Sequence, residues 1–276
     1  MATKNSEAPA TLIETRDLTI KFGRQTVLRN LSIAIPRGQT LVVIGESGCG
    51  KTVLLKSLIG LVRPTVGQVT FDGHDLAKLS DQQLTKERIR FGYLFQGSAL
   101  FDSLTVAQNV AFPLRQHTDY KADKVREIVL ARLAEVGLSE SVLRKKPAEL
   151  SGGMRKRVGL ARALVLNPEV MLYDEPTTGL DPIMSDVINE LIVRTRGRHP
   201  VTSVVVTHDM QTVRKVADRV VMLDSLSRLK PDEPQVLFDG PARELENCKD
   251  RRVRQFAQGE AGERITELAE QTGAVA

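Results

Sequence analysis

The chain has 276 residues, of which 41% are apolar and 26% are charged, and its 39 basic and 34 acidic residues give a net charge of +5. That length suits one globular unit, or one core with an inserted subdomain, better than two independent domains. No apolar run approaches the roughly 20 residues of a membrane-spanning helix, and the charge would suit phosphate ligands or an anionic membrane surface but is too small to indicate nucleic acid.

The first third of the chain is predicted to contain strands that lead into a glycine-rich turn. Short β-type runs and turn residues alternate over residues 11–45, and apolar residues at helical spacing follow Lys51 until Pro64 ends them. A strand at GQVTFDG, a polar helix near residues 81–90 and a short strand at residues 91–95 come next. Strand, glycine turn and helix therefore stand in the order that a phosphate-binding loop requires.

The middle and the last part of the chain differ in pattern. Residues 97–166 are almost wholly helical by periodicity and indicate an inserted helical subdomain. Strands return at VMLYD, SVVVTH and RVVMLD, with helical segments near residues 183–195 and 210–216 between them, which indicates an α/β fold with a mostly parallel sheet. After residue 240 a charged stretch of helical periodicity has few apolar anchors, which leaves open that it becomes ordered only against a partner.

One glycine-rich segment fits the phosphate-loop pattern GxxxxGK[ST] at every defined position. Its residues are Gly45, Glu46, Ser47, Gly48, Cys49, Gly50, Lys51 and Thr52. The glycines would let backbone N–H groups face the β-phosphate of ATP at a helix N-terminus, and Lys51 would add a cation near the β and γ oxygens. Thr52 would offer its hydroxyl to Mg²⁺. The alternative is a glycine-rich turn that fits the pattern by chance.

Two adjacent carboxylates, Asp174 and Glu175, end the apolar run VMLYD. Adjacent residues on a strand point to opposite faces, so we expect the two side chains to have different roles. Asp174 would hold Mg²⁺ through water, whereas Glu175 would polarise the attacking water as the general base. The alternative is a pair of solvated acids at the end of a strand.

The segment Leu150-Ser151-Gly152-Gly153-Met154 resembles the LSGGQ signature of the ABC ATPase family, with Met154 in place of the common glutamine. Ser151 and the N–H groups of Gly152 and Gly153 would lie at a helix N-terminus, which favours the γ-phosphate of an ATP bound by another copy. The alternative is an ordinary serine-capped helix. The resemblance covers about residues 11–240 and implies a P-loop NTPase core with a mostly parallel sheet, an N-terminal antiparallel β part and an inserted helical subdomain at about 97–166.

The resemblance also implies a domain division and four further site residues. Residues 1–10 are expected to be a flexible N-terminus, 11–240 the nucleotide-binding domain and 241–276 a C-terminal helical extension. Gln96 resembles the glutamine that reaches Mg²⁺ and water, and His208 resembles the histidine that contacts the γ-phosphate. Asp181 lies in a segment that resembles the loop along the dimer interface, and Phe22 resembles the aromatic residue that stacks on adenine.

At finer grain the chain is similar to ATPase subunits of lipid-trafficking ABC systems of the Mla type. The segments GKTVLLKSLIGLVRP, LFQGSALFDSLTVAQNV, LSGGMRKRVGLARAL and RVRQFAQGE carry this likeness. Directly after Gln96, the side chains of Ala99, Leu100, Phe101 and Leu104 would form an apolar surface for the permease. The alternative is that these side chains pack inside the helical subdomain.

This likeness implies a second copy of the chain in a head-to-tail dimer that encloses ATP, beneath a transmembrane permease. A lipid-binding MCE-type protein and a STAS-domain regulatory subunit are further candidate partners, and nucleic acid is not expected. The opening residues, MATKNSEAPATLIE, carry no apolar stretch behind a basic flank, so we expect no secretory signal. The expected location is the cytoplasmic face of the inner (plasma) membrane, as a peripheral subunit.

Three other functions stay open at this point. The first is an ABC ATPase acting on DNA or ribosomes, although such chains tend to carry two cassettes, long coiled coils or zinc cysteines. The second is a nucleotide switch that recruits a membrane complex for division or cell-wall work and turns over little ATP. The third is an ATPase that serves amino-acid or ion import instead of lipid trafficking.

Overall fold

A computed structural model describes residues 10–198 and 201–260. The expected flexible N-terminus therefore lies outside the described residues apart from Ala10, and so does the part of the expected C-terminal extension from residue 261 onward. The eight α-helices of the described residues are α1 (Lys51–Leu58), α2 (Asp81–Ile89), α3 (Val106–His117), α4 (Ala122–Glu135), α5 (Gly152–Leu164), α6 (Pro182–Arg198), α7 (Met210–Val216) and α8 (Arg251–Gln258).

Ten strands of the described residues form two sheets. The antiparallel sheet has the order β2-β1-β4-β5 and consists of β1 (Thr11–Phe22), β2 (Gln25–Pro36), β4 (Val66–Phe71) and β5 (His74–Asp75). The second sheet has the order β10-β9-β3-β8-β7-β6 and consists of β3 (Thr40–Ile44), β6 (Phe91–Leu94), β7 (Val170–Asp174), β8 (Thr202–Val206), β9 (Arg219–Leu223) and β10 (Val236–Gly240). Its neighbours pair in parallel except β10, which runs antiparallel to β9. The predicted α/β fold with a mostly parallel sheet and an antiparallel N-terminal part is confirmed.

The six-stranded sheet is buried on both faces. Every residue of β3, β7 and β8 is buried, which explains why their sequences read as continuous apolar runs. Side chains alternate between two hydrophobic clusters, so Val42 and Ile44 pack with the helices α3, α4 and α5, whereas Leu41 and Val43 pack with α1 and the antiparallel sheet. The carboxyl ends of the parallel strands meet at one edge, where the loops that carry the predicted site begin.

The structure differs from the sequence expectations at three places. Helix α1 ends at Leu58, six residues before Pro64, because Gly60 adopts a left-handed conformation (φ 69°) and its N–H donates to Ser57 O. The predicted helical pattern from residue 97 begins only at Val106. The strand β10 was not predicted, since its sequence VLFDG is short and lies among charged residues.

A cluster of ion pairs joins the two sheets at the edge opposite the site. The Arg90 guanidinium, which follows α2, lies 2.6 Å from Asp72 Oδ2 at the end of β4 and 2.7 Å from Glu169 Oε1 ahead of β7. It also lies 2.7 Å from Glu87 Oε2. Hydrogen bonds from Arg90 lower the pKa of both Asp72 and Glu169 below their usual range. The cluster therefore fixes the antiparallel sheet against the strands that position the site.

Candidate functional site

The predicted phosphate loop connects β3 to α1 and curls around the side chain of its own lysine. Lys51 is buried, and its Nζ donates to Gly45 O at 2.7 Å and to Glu46 O at 2.9 Å. Gly45 has φ 145°, and a Cβ at this position would lie 2.2 Å from Leu223 O, so only glycine fits there. Gly50, with φ 103°, begins α1. The loop thus holds the ammonium of Lys51 against two of its own carbonyls, next to a helix N-terminus of the kind that binds phosphate.

The other residues of the loop divide into exposed and buried positions. Ser47 and Gly48 are exposed, whereas the small side chain of Cys49 is buried. Burial raises the pKa of the Cys49 thiol, so the thiol stays protonated at neutral pH. The carboxylate of Glu46 lies 2.8 Å from Arg228 Nη1. Arg228 belongs to the segment between β9 and β10, which was not predicted to touch the loop.

A buried glutamine, Gln235, ties the loop to its surroundings. Its Nε2 donates to Val27 O and Cys49 O, both at 3.1 Å, and to Asp224 O at 3.3 Å. Its Oε1 accepts from Arg29 N–H at 2.9 Å. One side chain therefore connects the phosphate loop, β2 and the end of β9. Sequence reasoning missed Gln235, because a single glutamine in a charged segment carries no local signal.

Asp174 ends β7 beside the loop, and both of its carboxylate oxygens have partners. Thr52 Oγ1 donates to Oδ1 at 2.8 Å, and the Tyr93 hydroxyl donates to Oδ2 at 3.2 Å. Burial and the nearby Asp174 charge raise the pKa of Tyr93 well above its usual value, so Tyr93 remains a donor. The structure thus brings together two of the three residues that were predicted to hold Mg²⁺, Thr52 and Asp174.

This donor set fits magnesium and does not fit a metal held by protein side chains alone. Among residues 10–198 and 201–260, no group of three or more His, Cys, Asp or Glu side chains could hold a metal ion. Mg²⁺ is commonly held by one or two protein groups together with substrate phosphates and water. The hydroxyl of Thr52 and the carboxylate of Asp174, next to the phosphate loop, match that requirement.

Glu175 lies just past the end of β7 and adopts a left-handed conformation (φ 48°). This turn, and not the strand alternation that we assumed, sends its side chain away from that of Asp174. Its Oε2 accepts from Thr178 Oγ1 at 3.1 Å and lies 2.9 Å from His208 Nδ1. Its carboxylate is nearly buried, whereas the side chain of His208 is 58% exposed. The predicted base and the predicted γ-phosphate histidine are therefore neighbours.

Gln96 follows β6, and its side chain is exposed. Its backbone oxygen accepts a hydrogen bond from the buried Nζ of Lys156, which also donates to Glu175 O at 3.0 Å. Burial lowers the pKa of Lys156 to about 8, and the charges of Asp174 and Glu175 oppose this shift. Sequence reasoning did not single out Lys156, since it lies within a basic stretch that reads as a solvated face.

The predicted signature segment forms the start of α5. Ser151 is the N-cap of this helix, with its Oγ accepting from Met154 N–H at 3.2 Å, and its side chain is exposed. Asp181 caps α6 in the same way, through Met184 N–H at 3.0 Å. The two segments are neighbours within the chain, because a Cβ on Gly153 would lie 2.7 Å from Met184 Cε. Gly152 is half-buried beside Leu180.

Two of the regions that were predicted to contact a ligand or a partner carry exposed aromatic residues. Phe22, at the end of β1, is 51% exposed, so its ring is accessible at the surface. Of the apolar residues after Gln96, Ala99 and Phe101 are exposed, whereas Leu100 packs against the core. A groove of about 410 Å³ lies there, and its lining includes Phe95, Ala99, Phe101, Phe112, Pro113 and Arg162. Ala99 and Phe101 thus form part of the predicted apolar surface, whereas Leu100 packs inside, as the alternative had it.

Comparisons with known proteins show which family the chain resembles. A family model described as ABC transporter matches residues 28–178. The chain is 40% identical to the "Intermembrane phospholipid transport system ATP-binding protein MlaF" of Haemophilus influenzae over 250 residues, which cover 91% of each protein. It is 42% identical to the "Probable ribonucleotide transport ATP-binding protein mkl" of Mycobacterium tuberculosis over 247 residues, which cover 90% of this chain and only 66% of that protein.

Solved structures show the same fold. A dimeric ATP-binding cassette, MJ0796, in a post-hydrolysis state bound to ADP and Pi, superposes with a TM-score of 0.74 at 30% identity, covering 84% of this chain and 99% of that one. The described residues contain no helix of the length and apolar character that crossing a membrane requires.

Proposed function

This chain belongs to the ABC transporter family of ATP-binding proteins, and from that premise we propose that it is the ATP-hydrolysing subunit of a transporter that moves phospholipid between membranes. The observation that carries the ATPase proposal is the convergence of four predicted residues beside the phosphate loop, at one edge of the sheet. Thr52 donates to Asp174 at 2.8 Å beside the phosphate loop, and Glu175 follows directly with His208 at 2.9 Å. The lipid cargo is supported by the 40% identity to a protein named for intermembrane phospholipid transport.

ATP is held by the phosphate loop and by Phe22. Backbone N–H groups of residues 45–52 and the Lys51 ammonium bind the phosphates. Phosphate oxygens then replace the carbonyls of Gly45 and Glu46 as the hydrogen-bond partners of Lys51. The exposed ring of Phe22 stacks on the adenine, which adds affinity with little base specificity. Thr52, Asp174 and the side-chain amide of Gln96 would hold Mg²⁺, which supplies charge neutralisation at the β- and γ-phosphates.

The chemical step depends on Glu175 and His208. Glu175 accepts the proton of the attacking water, and the hydroxyl of Thr178 and the ring of His208 fix the direction of its carboxylate. His208, more than half exposed, turns toward the γ-phosphate when ATP is present. Both residues lie on loops at the ends of buried strands; the nearly buried carboxylate of Glu175 is held by its partners, whereas the exposed ring of His208 is free to turn.

Each ATP site is completed by a second copy of the chain. Ser151, Gly152 and Gly153 of that copy present a hydroxyl and the N–H groups of a helix N-terminus to the γ-phosphate, while Asp181 lies along the interface. Two such contacts in a head-to-tail pair enclose two nucleotides. Closure excludes water other than the attacking one, and hydrolysis removes the contacts that hold the pair together.

The dimer works at the cytoplasmic face of the plasma membrane, bound to a permease. The groove beside Phe101 and Phe112, with ring centroids 4.7 Å apart, offers an apolar seat for a short helix of the permease directly after the loop of Gln96. Reopening of the dimer reaches the permease through this loop. A lipid-binding MCE-type protein and a STAS-domain subunit complete the proposed assembly, in line with the Mla-type likeness.

A second candidate function is transport of a nucleotide cargo. It is favoured by the 42% identity to a protein named for probable ribonucleotide transport, although the chain spans only 66% of that protein. The cargo is decided by purifying the tagged chain from membranes and identifying the proteins and lipids that accompany it. A permease with bound phospholipid would support the first function, and a permease without lipid whose ATPase rate rises with ribonucleotide would support the second.

The variant Glu175→Gln tests the ATPase mechanism. Loss of the base should lower kcat about 10²- to 10⁴-fold, while the isosteric amide still fits between Thr178 and His208. The variant should therefore bind ATP and accumulate as a dimer in size-exclusion chromatography. Glu127→Gln, an exposed position on α4, is the matched control. Hydrolysis by Glu175→Gln at the wild-type rate, or failure to form the ATP-bound dimer, would contradict the mechanism.

A further inference from the structure

A buried lysine on α5 links the two loops that carry the predicted catalytic groups. Lys156 is only 4% exposed, and its ammonium donates to the backbone oxygens of Gln96 and Glu175. Gln96 follows β6 and Glu175 follows β7, and these two strands pair in parallel. One cation from a third element thus holds the start of both loops at the site.

The contact to Glu175 acts at a point of backbone strain. Glu175 has φ 48°. A glutamate in this left-handed region is strained and persists only where its surroundings hold it. Its N–H donates to Val206 O at 2.9 Å, and its carbonyl accepts from Lys156 at 3.0 Å. The residue is therefore held on both sides of its Cα, once by the neighbouring strand and once by Lys156, and the direction of its carboxylate follows from this conformation.

The same helix carries Ser151 at its N-cap. Lys156 lies five residues further on, about 7.5 Å along the axis at 1.5 Å per residue. A helix of this length moves as a rigid body, so a displacement of Ser151 also displaces the ammonium of Lys156. In the proposed dimer Ser151 contacts the ATP of the other copy, whereas Lys156 contacts the loops of its own site.

We propose that Lys156 is a positioning residue, which aligns Glu175 and the loop of Gln96 for hydrolysis and makes that alignment depend on where the signature helix α5 lies. This inference rests on the proposed ATPase function. The N-terminal end of α5 contacts the ATP bound by the other copy. Through Lys156, the same helix would then affect Glu175, the base that acts on the ATP of its own copy. Binding of ATP at one site of the dimer is thereby communicated to the second site through a single helix.

Substitution of Lys156 should change the chemical step more than nucleotide binding. In Lys156→Met the side chain is one atom shorter and loses the charge and both hydrogen bonds. Misalignment of the base by up to about an ångström should lower kcat about ten- to hundredfold. The KM for ATP should stay within about threefold of wild type, because phosphate-loop contacts are untouched. Lys156→Arg keeps a charge that reaches both carbonyls and should recover most of kcat.

Two controls separate positioning from general structural support. Lys124→Met removes an exposed lysine of α4 and breaks its surface ion pair with Glu127 at 2.9 Å. Because such a pair contributes little stability, kcat and Tm should stay unchanged. In single-turnover experiments, Lys156→Met should lower the rate of Glu175→Gln by a clearly smaller factor than it lowers the wild-type rate, because the part of its effect that acts through Glu175 is lost with the base.

The outcomes are distinct. Folded Lys156→Met with wild-type kcat, an additive loss in the double variant, or a Lys156→Arg variant as impaired as Lys156→Met would overturn the proposal. If Lys156→Met does not fold, Lys156→Gln, which keeps one amide donor, takes its place, and failure of both to fold would show that Lys156 is only structural. If the wild type does not hydrolyse ATP, or Glu175→Gln still does, the proposed function itself fails; wild-type activity that needs Glu175 but not Lys156 overturns this inference alone.

Discussion

The buried amide of Gln235 provides a quantitative test of how the phosphate loop is held. The residue is 1% exposed, and its orientation is fixed by its partners, because three carbonyl oxygens require the NH₂ group and Arg29 N–H requires the oxygen. The substitution Gln235→Leu keeps a similar volume and removes every polar contact. It leaves Cys49 O of the phosphate loop and Val27 O of β2 without this partner.

The expected cost follows from the number of hydrogen bonds. Nε2 has two hydrogens for its three acceptors, so the side chain makes the equivalent of three bonds, two donated and one accepted. At about 1 kcal/mol of net stability for each bond, Gln235→Leu should lower the free energy of unfolding by about 3 kcal/mol, and by up to about 5 kcal/mol if the abandoned groups remain unsolvated. A protein with about 5–15 kcal/mol of stability would still fold.

Urea unfolding at neutral pH measures this loss, and titration with ATP measures the consequence for the loop. We expect the Kd for ATP to rise as well, because Cys49 lies within the loop. Gln235→Glu should be at least as unstable as Gln235→Leu, since its second oxygen would face carbonyls and could not donate. Gln82→Leu, an exposed position on α2, should change stability by less than about 0.5 kcal/mol. A loss below about 1 kcal/mol in Gln235→Leu, with unchanged ATP affinity, would refute the reasoning.

Two further predictions concern Arg90 and Tyr93. Arg90→Met should lower the free energy of unfolding at pH 7, measured by urea unfolding, by about 2 kcal/mol. The loss is no larger because the carboxylates that Arg90 contacts are partly exposed. Arg90 lowers the folded-state pKa of Asp72 and Glu169 below the unfolded values of 3.8 and 4.5. The stability that these carboxylates contribute is therefore present above about pH 4.5 and is lost as the pH falls. Arg90→Met should thus be less sensitive to acid than the wild type, and equal acid sensitivity would contradict this. Tyr93→Phe removes the donor to Asp174 Oδ2, so the Mg²⁺ concentration for half-maximal ATPase activity should rise about tenfold with little change in kcat at saturation, and an unchanged Mg²⁺ requirement would exclude this role for the hydroxyl.

The sequence predicted the fold well where the chemistry is local. A strand that is buried on both faces needs a continuous apolar run, so the strands at VMLYD and SVVVTH were evident. The glycine pattern and Lys51 likewise predict a loop at a helix N-terminus from adjacent residues alone. The end of α1 was misjudged because Pro64 is a visible stop, whereas the left-handed conformation of Gly60 depends on the packing of the turn.

The contacts that hold the site together were hidden for a different reason. Gln235 lies 186 positions from Cys49, and Lys156 lies 60 from Gln96, so neither pair has a spacing that a local pattern could register. Strand alternation also gave the wrong reason for the separate directions of Asp174 and Glu175, because the strand ends between them and a left-handed turn follows. Such turns are determined by tertiary hydrogen bonds, which periodicity does not encode.

The positions of these hidden residues have a common physical meaning. The groups predicted to contact ATP and water lie on loops at the carboxyl ends of strands, where backbone polar groups have left the sheet ladder and need new partners. Lys156 satisfies two such carbonyls, and Gln235 satisfies two more, those of Cys49 and Asp224, in addition to the β2 carbonyl of Val27. A loop held in this way cannot move independently of the element that supplies the partner. Motion of α5 should therefore act on the loops of Gln96 and Glu175, and motion of the segment before β10 on the phosphate loop, so that the supporting hydrogen bonds also determine which conformational changes the site can respond to.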